Sequence, residues 1–525
     1  MKYKPAILPF ILWLPFLVFG QDGLLKGKLY DARTLEPLVF ATVKLKGKSL
    51  GVVSNSDGSF RIPEKFQAYG DTLQISSMGY EKREILITTL SVDRVREIFV
   101  QPGIFELQEA VVKSKRKRPL SARKIIRRAI ANIPKNYPLH PFSTVGYYRD
   151  YQLKENRYVN LNEAILEVID FGFGKLDSVT TKVQIYEYKK NTDFERDTLA
   201  DDPYNYKSLR KIVDNAYLFN YGGNEFTILR VHDAIRNYNV NSYSFVNRFD
   251  LDLINNHNFR KDNNTYLGNE PLYTINIRKT YPNYSAFGTL YISHGDYAIH
   301  KMEYTVYDDR KRNPDKILNK HNGSGRLLFE VVTEYQRRGD RMYLNYISFH
   351  NSFVLWEPPK FKLNFITWNL KRRCFVLEFN NHPDEFDAVN IDNYKVRFDK
   401  KKLKFRSVVA FANKVFLFPD MDQKDKLAMV EKLVENQKKG VDLSEVLSVN
   451  VEPIKDVLGN ILNKWIKKDY DQFREYFTQQ VKPTSSIKHD VPFMDNGKPI
   501  FKDQPIFRPD NFDDYWMNTP LKKIE

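Results

Sequence analysis

Catalysis needs side chains that ligate, attack or move protons, and this chain offers few of them at useful spacing. His382-Pro-Asp-Glu385 has the His-x-x-Glu pattern, and His489 stands further along as a second imidazole. Such a set holds zinc only when a third ligand and a rigid backbone bring the groups together. Asn380 and Asn381 precede His382 and Pro383 follows it, which reads as a polar turn, and His489 lies in a proline-rich stretch. No metal site is expected there. Cys374 is the single cysteine, so an intramolecular disulfide and a multi-cysteine metal site are both excluded. It follows Lys371, Arg372 and Arg373 but opens the strand-like run Cys-Phe-Val-Leu, which suits a buried thiol better than a nucleophile. Asp308, Asp309 and Asp315 lie among basic residues and read as a solvated turn. The chain has no His-Glu-x-x-His, no Gly-x-Ser-x-Gly elbow and no phosphate-binding loop; Asn322-Gly-Ser-Gly325 is too short for one. We therefore expect no catalytic, cofactor-binding or metal-binding residue and no cofactor. A hydrolase with a site assembled from distant residues is the alternative.

The composition describes the scaffold that would have to position any such groups. Of 525 residues, 42% are apolar, which excludes a disordered chain and allows several domains. The chain holds 32 Tyr and 37 Phe, and flat rings favour pleated sheets. The formal net charge is +17. Nucleic acid is the usual partner of such a chain, but the N-terminus argues against it. Lys2 and Lys4 precede an apolar run from Pro5 to Phe19, and Gly20, Gln21 and Asp22 end it. This is the plan of a secretory signal peptide over residues 1–20, too short and too interrupted by Pro9 and Pro15 for a comfortable membrane span. The expected location is the periplasm or the outer membrane. The expected partners are a lipid, a glycan or an envelope protein, not nucleic acid.

Residues 21–112 alternate strand-like stretches with turns: Leu24 to Tyr30, Val39 to Lys46, Lys48 to Ser54, Phe60 with Ile62, Asp71 to Ser77, Arg83 to Ile87 and Ile98 to Val100. Val39, Ala41, Val43 and Leu45 are expected on one face, and Asn55-Ser56-Asp57-Gly58 is a strong turn signal. Seven such strands predict an antiparallel β-sandwich. The series Gly27-Lys-Leu-Tyr-Asp31, Glu36-Pro37-Leu38, Ala41-Thr42-Val43, Ser54-Asn-Ser-Asp-Gly-Ser-Phe60 and Gly79-Tyr80-Glu81 resembles the carboxypeptidase regulatory-like domain, a transthyretin-like sandwich of exported Bacteroidetes proteins. Leu107-Gln-Glu-Ala-Val-Val112 is similar to the segment that follows this domain in TonB-dependent receptors. The resemblance implies an accessory domain without catalytic residues, so Asp57 and Gly58 are read as turn formers. The hydrolase alternative would be metallocarboxypeptidase-like.

A basic linker with an amphipathic helix is expected over residues 113–139. Ser121 caps it, and Ala122, Ile125, Ile126, Ala129, Ile130 and Ile133 form its stripe. The stripe could rest on an anionic membrane, but without Trp or Phe it suits packing on a sheet better. Residues 140–410 read as serial hairpins, which predict one large curved antiparallel sheet or half-barrel with flanking helices. Gly288-Thr-Leu-Tyr-Ile-Ser293 with Asp296-Tyr-Ala-Ile299 is similar to strand pairs of LolA-like lipoprotein carriers, which implies a concave surface for an acyl chain or peptide. The same rings would equally fill an ordinary core. Helices are expected over 411–479: Lys424 to Lys439, with Leu427, Val430, Leu433 and Val434 inward, and about Pro453 to Phe477, with Ile454, Val457, Leu458, Ile461, Leu462, Trp465 and Ile466 as its stripe. Residues 480–525 read as an extended proline-rich tail strapped to the body by Phe501, Phe507, Phe512, Tyr515 and Trp516. The function expected is non-enzymatic binding of a lipid, glycan or protein partner in the cell envelope, through the β-rich middle.

Overall fold

A computed structural model describes residues 23–48, 50–69, 72–103, 119–155, 157–205, 211, 222–240, 248–280, 282–310, 325–439, 446–484 and 491–521. The expected signal peptide, the basic run Lys113–Arg118, the segment Leu107–Val112, Asp315 and His489 lie outside the described residues. The protein is mainly β with a minority of helix. It divides into two compact units, residues 1–353 with 470–525, and residues 354–469. Among the described residues no helix is long and apolar enough to cross a membrane.

The first unit opens with the sandwich. Strands β1 (Leu24–Asp31), β2 (Thr42–Leu45), β3 (Gly51–Val53), β4 (Ser59–Pro63), β5 (Thr72–Ser76), β6 (Arg83–Leu86) and β7 (Val95–Val100) form two sheets, ordered β4-β1-β7 and β3-β2-β5-β6. Leu29, Val43, Phe60, Leu73, Ile75 and Ile98 are buried in one core. Two expectations change. The β1–β7 pair is parallel, so the sandwich is not wholly antiparallel. Val39 is exposed while Ala41, Val43 and Leu45 are buried, because Phe40 takes a φ of 57° and breaks the two-residue alternation. Gly58 does need its φ of +77°, and a Cβ there would lie 2.4 Å from the Leu29 carbonyl oxygen.

The expected hairpins appear as β8 (Phe142–Lys154) with β9 (Arg157–Asp170), β14 (Tyr284–Ser293) with β15 (Ile299–Asp308), and β16 (Arg326–Arg338) with β17 (Arg341–Glu357). With β10 (Lys182–Lys190), β11 (Asn258–Lys261), β12 (Thr265–Leu267) and β13 (Glu270–Thr280) they belong to an eleven-stranded sheet. The helix Ala122–Ala131 packs Ile125, Ile126, Ala129 and Ile130 into its core, with Ser121 as N-cap. Its apolar stripe is thus used inside the protein. The rings that could have lined an open concave surface, Tyr148, Tyr304, Tyr335 and Tyr476, are buried in that same core.

The second unit holds a four-stranded sheet of β18 (Leu363–Asn369), β19 (Cys374–Phe379), β22 (Phe405–Phe411) and β23 (Lys414–Pro419), in the order β18-β19-β23-β22. Beside it are a small sheet of β20 (Tyr394–Phe398), β21 (Lys401–Lys402) and β24 (Leu447–Val451), and the helix Gln423–Lys438. That helix lies rotated from expectation. Met429 is buried, while Leu427 and Val434 are exposed.

The helix expected over Pro453 to Phe477 is a correction. Residues 454–462 turn back on themselves, with Lys455 bridged to Ile461 and Gly459 at a φ of 82°. The Asp456 carboxylate accepts from the backbone N–H groups of Leu458 and Asn460 at 3.0 and 2.7 Å, replacing helical bonds with a local turn. Residues Ile466–Lys482 then form strand β25, seated between β8 and β17 in the large sheet. Lys, Glu and Gln favour a helix here, but two long flanking strands offer a complete set of backbone partners, and tertiary pairing outweighs propensity.

Candidate functional site

Successive side chains along each strand alternate between the two faces of the large sheet, and this separates its buried charges into two centres. On one face, Arg149 of β8 is fully buried; its Nε donates to Glu475 of β25 and its Nη1 to the Asn55 side-chain oxygen. Asn55 belongs to the sandwich turn, where the Asp57 carboxylate accepts from the Ser59 N–H at 2.9 Å. Asp57 and Gly58 therefore do form the turn, and Asn55 beside them ties it to the sheet. Tyr151 donates to Glu475 at 3.1 Å, and Tyr147 to Glu163 at 2.6 Å.

On the other face, Arg474 is fully buried, donating from Nε to Glu225 and from Nη1 to Asn351 at 2.9 Å. Asp150 accepts from Tyr148 at 3.0 Å and from Asn162 at 2.9 Å. Burial, and then the Glu225 charge, push Asp150 up to about 7. Burial also pushes the Lys211 ammonium below its ordinary value, although Glu225 and Asp150 act against that. Groups poised to exchange protons are a feature of active sites. Here Asp150 accepts from Tyr148 of its own strand and from Asn162 of β9, and Arg474 donates to Glu225 and Asn351, so the polar groups tie neighbouring elements together within the core.

Asp150 has a consequence for stability. Its folded value lies above the ordinary 3.8, so its contribution is complete in acid and is lost as pH rises through about 7. This contribution should fall between about pH 4 and 7, at no more than about 1.4 kcal/mol per pH unit, and level off above about pH 8. His232 and His257 are both pushed down by burial, to about 3 and about 4, and act with the opposite sign below about pH 6.5, where the unfolded chain binds protons that the folded chain does not. Asp150→Asn should remove the fall that Asp150 causes, so that stability between about pH 4 and 7 rises more steeply, or falls less, than in the wild type in urea denaturation; an unchanged pH profile would assign the dependence to another group.

The sequence candidates fall elsewhere. His382 and Glu385 are exposed in the second unit, where Asp384 caps the short helix Glu385–Val389. Among the described residues no three His, Cys, Asp or Glu side chains group to hold a metal ion. Cys374 is buried, and burial raises its thiol pKa. Asp308 is buried and accepts from Arg310 at 2.9 Å, so it is not part of a solvated turn.

An open site lies in the second unit, in a cavity of about 260 Å³. Ile366 and Trp368 of β18 and Phe375 of β19 form one wall, with Thr367 and Leu370 beside them. Val430, Leu433 and Val434 of the helix Gln423–Lys438 and Leu447 of β24 form the other. Trp368 meets Phe375 edge-on at 4.8 Å between ring centres. β18 is an edge strand, so the helix covers it on one side only and the cavity opens to solvent. Leu370 and Val434 at its rim are exposed, at 73% and 43%. Thr367 supplies the one side-chain hydroxyl of the lining. This arrangement can take up an apolar chain and carries no group able to activate one.

Residues 25–112 match the CarboxypepD_reg-like domain family. The N-terminal sandwich is such a domain. No curated protein matches the chain. The match covers the regulatory-like domain alone, and the cavity lies outside it.

Several of these residues carry a signal in the sequence. Tyr147-Tyr-Arg-Asp-Tyr151 and Phe473-Arg-Glu-Tyr-Phe477 each set two adjacent charges inside a run of rings. Charges so placed on a strand buried on both faces must each find a partner. The cavity has no comparable signal, because its two walls are separated by more than fifty residues of chain.

Proposed function

We propose that this chain is a non-enzymatic, exported cell-envelope protein whose second unit binds an acyl chain. The cavity between β18 and the helix Gln423–Lys438 carries the reading. Its walls are aliphatic and aromatic, it is open at one side, and its volume exceeds the roughly 150 Å³ that holds a benzene-sized ligand in a dry protein cavity. A glycan would need many polar partners, and the lining has a single hydroxyl. The regulatory-like domain then serves as an accessory joined to a binding body, in keeping with the Bacteroidetes envelope proteins it resembles. The resemblance of residues 288–293 and 296–299 to LolA-like strand pairs points to lipid chemistry in general, but the rings of that sheet are committed to its core.

The test is calorimetric titration with decanol and with a series of longer and shorter alkanols. Each buried methylene contributes about 0.8 kcal/mol, so two more should tighten binding by roughly tenfold until the cavity is full. Val430→Trp should fill the space and abolish binding without loss of fold by circular dichroism. Equal binding by wild type and this variant would sink the reading.

A further inference from the structure

We infer that the ligand of this cavity is a single-chain amphiphile with an anionic head, held by Lys371 and Lys438; the inference rests on the acyl-chain reading above. Two cations flank the exposed rim. Lys371 directly follows the rim residue Leu370, and Lys438 stands one helical turn beyond the rim residue Val434. Both are exposed. Among the described residues neither forms an ion pair. On this helix Glu435 pairs with Lys439 at 2.5 Å, and Lys432 pairs with Asp399 at 2.6 Å. Glu431, also on this helix, is the remaining acid of its C-terminal half and forms no ion pair among the described residues. The β18–β19 turn holds two further cations: Arg373, three residues past Leu370 and next to β19, and Arg372, which has its guanidinium over the Phe416 ring, with 5.0 Å from Cζ to the ring centre. Phe416 pairs with Val376, whereas the cavity residue Phe375 is its neighbour in β19 and faces the opposite side of the sheet. Arg372 is thereby directed away from the cavity, and the head is assigned to the lysines that adjoin the rim residues Leu370 and Val434.

The chemistry of the site divides by depth. An alkyl chain entering between Trp368 and Leu433 leaves its polar end at the rim, in water and beside two ammonium groups. A carboxylate or phosphate there gains Coulomb attraction, a hydroxyl gains little, and a quaternary ammonium is repelled. Exposed pairs are worth up to about 1 kcal/mol each and weaken with salt, so the preference should be about fivefold to tenfold at low ionic strength.

The experiment titrates the full chain with decanoate, decyl phosphate, decanol and decyltrimethylammonium, at low and high salt. We expect decanoate and decyl phosphate to bind about fivefold to tenfold more tightly than decanol, with the gap closing in high salt. The double variant Lys371→Gln, Lys438→Gln should close the same gap while decanol affinity stays unchanged. Should decanol bind as well as decanoate, the anionic head is wrong; should the double variant keep the gap, Lys371 and Lys438 do not hold the head; in both cases the acyl-chain reading stands. If none of the four binds, the acyl-chain reading falls and this inference with it. Vesicles of phosphatidylglycerol separate the two sources of such a head: retention that Val430→Trp abolishes assigns a membrane lipid, and binding of free decanoate without vesicle retention assigns a soluble fatty carboxylate.

Discussion

Arg149→Ala should lower the stability of the first unit by about 3–5 kcal/mol, the range for removing one partner from a buried ion pair. The guanidinium is fully buried, paired with Glu475 and hydrogen-bonded to Asn55. Its Cζ lies 5.0 Å from the Phe477 ring centre and 5.6 Å from that of Tyr151. Removing it leaves the Glu475 carboxylate charged in an apolar setting and cuts the sandwich turn from the sheet. A domain is stable by only about 5–15 kcal/mol, so this one change takes a large share. Guanidinium denaturation followed by circular dichroism measures it. The double change Arg149→Met, Glu475→Gln should recover part of the loss, because no unpaired charge remains. A single-variant loss below about 1 kcal/mol would show that the pair is solvated and the reading of a buried centre wrong.

Trp516→Ala should cost about 3–5 kcal/mol, the range for truncating a large buried ring. Trp516 belongs to the core of the regulatory-like domain, with its ring centre 5.6 Å from that of Phe66. Its Nε1 donates to the Arg61 carbonyl at 2.8 Å, and its own carbonyl accepts from Gln479 of β25 at 2.7 Å. Two residues on, Asn518 donates to the Val53 carbonyl at 2.9 Å and accepts from the Arg61 N–H at 2.8 Å. One short stretch of tail thus completes the sandwich core and reaches β25 of the large sheet. Limited proteolysis of the variant should cut within the sandwich and the tail before the sheet. Simultaneous cleavage of all three, at the wild-type rate, would mean the tail is not the joint.

This explains why the regulatory-like domain, though matched by its own family over residues 25–112, is not a free-standing bead in this chain. Asn55 and Trp516 bind it to the rest of the first unit through groups that no part of residues 25–112 announces. The Asp57-Gly58 turn is legible locally because its chemistry is local: a left-handed glycine and a carboxylate that bonds a backbone N–H two residues away. What the Asn55 side chain does beyond the turn depends on Arg149, nearly a hundred residues on.

The same division runs through the whole protein. Elements made by neighbours in sequence were readable from the residues alone: the seven strands of the sandwich, the hairpins β8–β9, β14–β15 and β16–β17, the capped helix Ala122–Ala131 and the turn around Gly58. In each, hydrophobic period and turn chemistry act over a few residues and agree with one another. The parallel partner of β1, the conversion of Ile466–Lys482 from an expected helix into a strand, the two buried charge centres and the cavity at the edge of β18 were decided only by the tertiary structure. For these, the competing local preferences differ by a few tenths of a kcal/mol per residue, and a distant strand or helix that supplies hydrogen bonds and buried surface outweighs them.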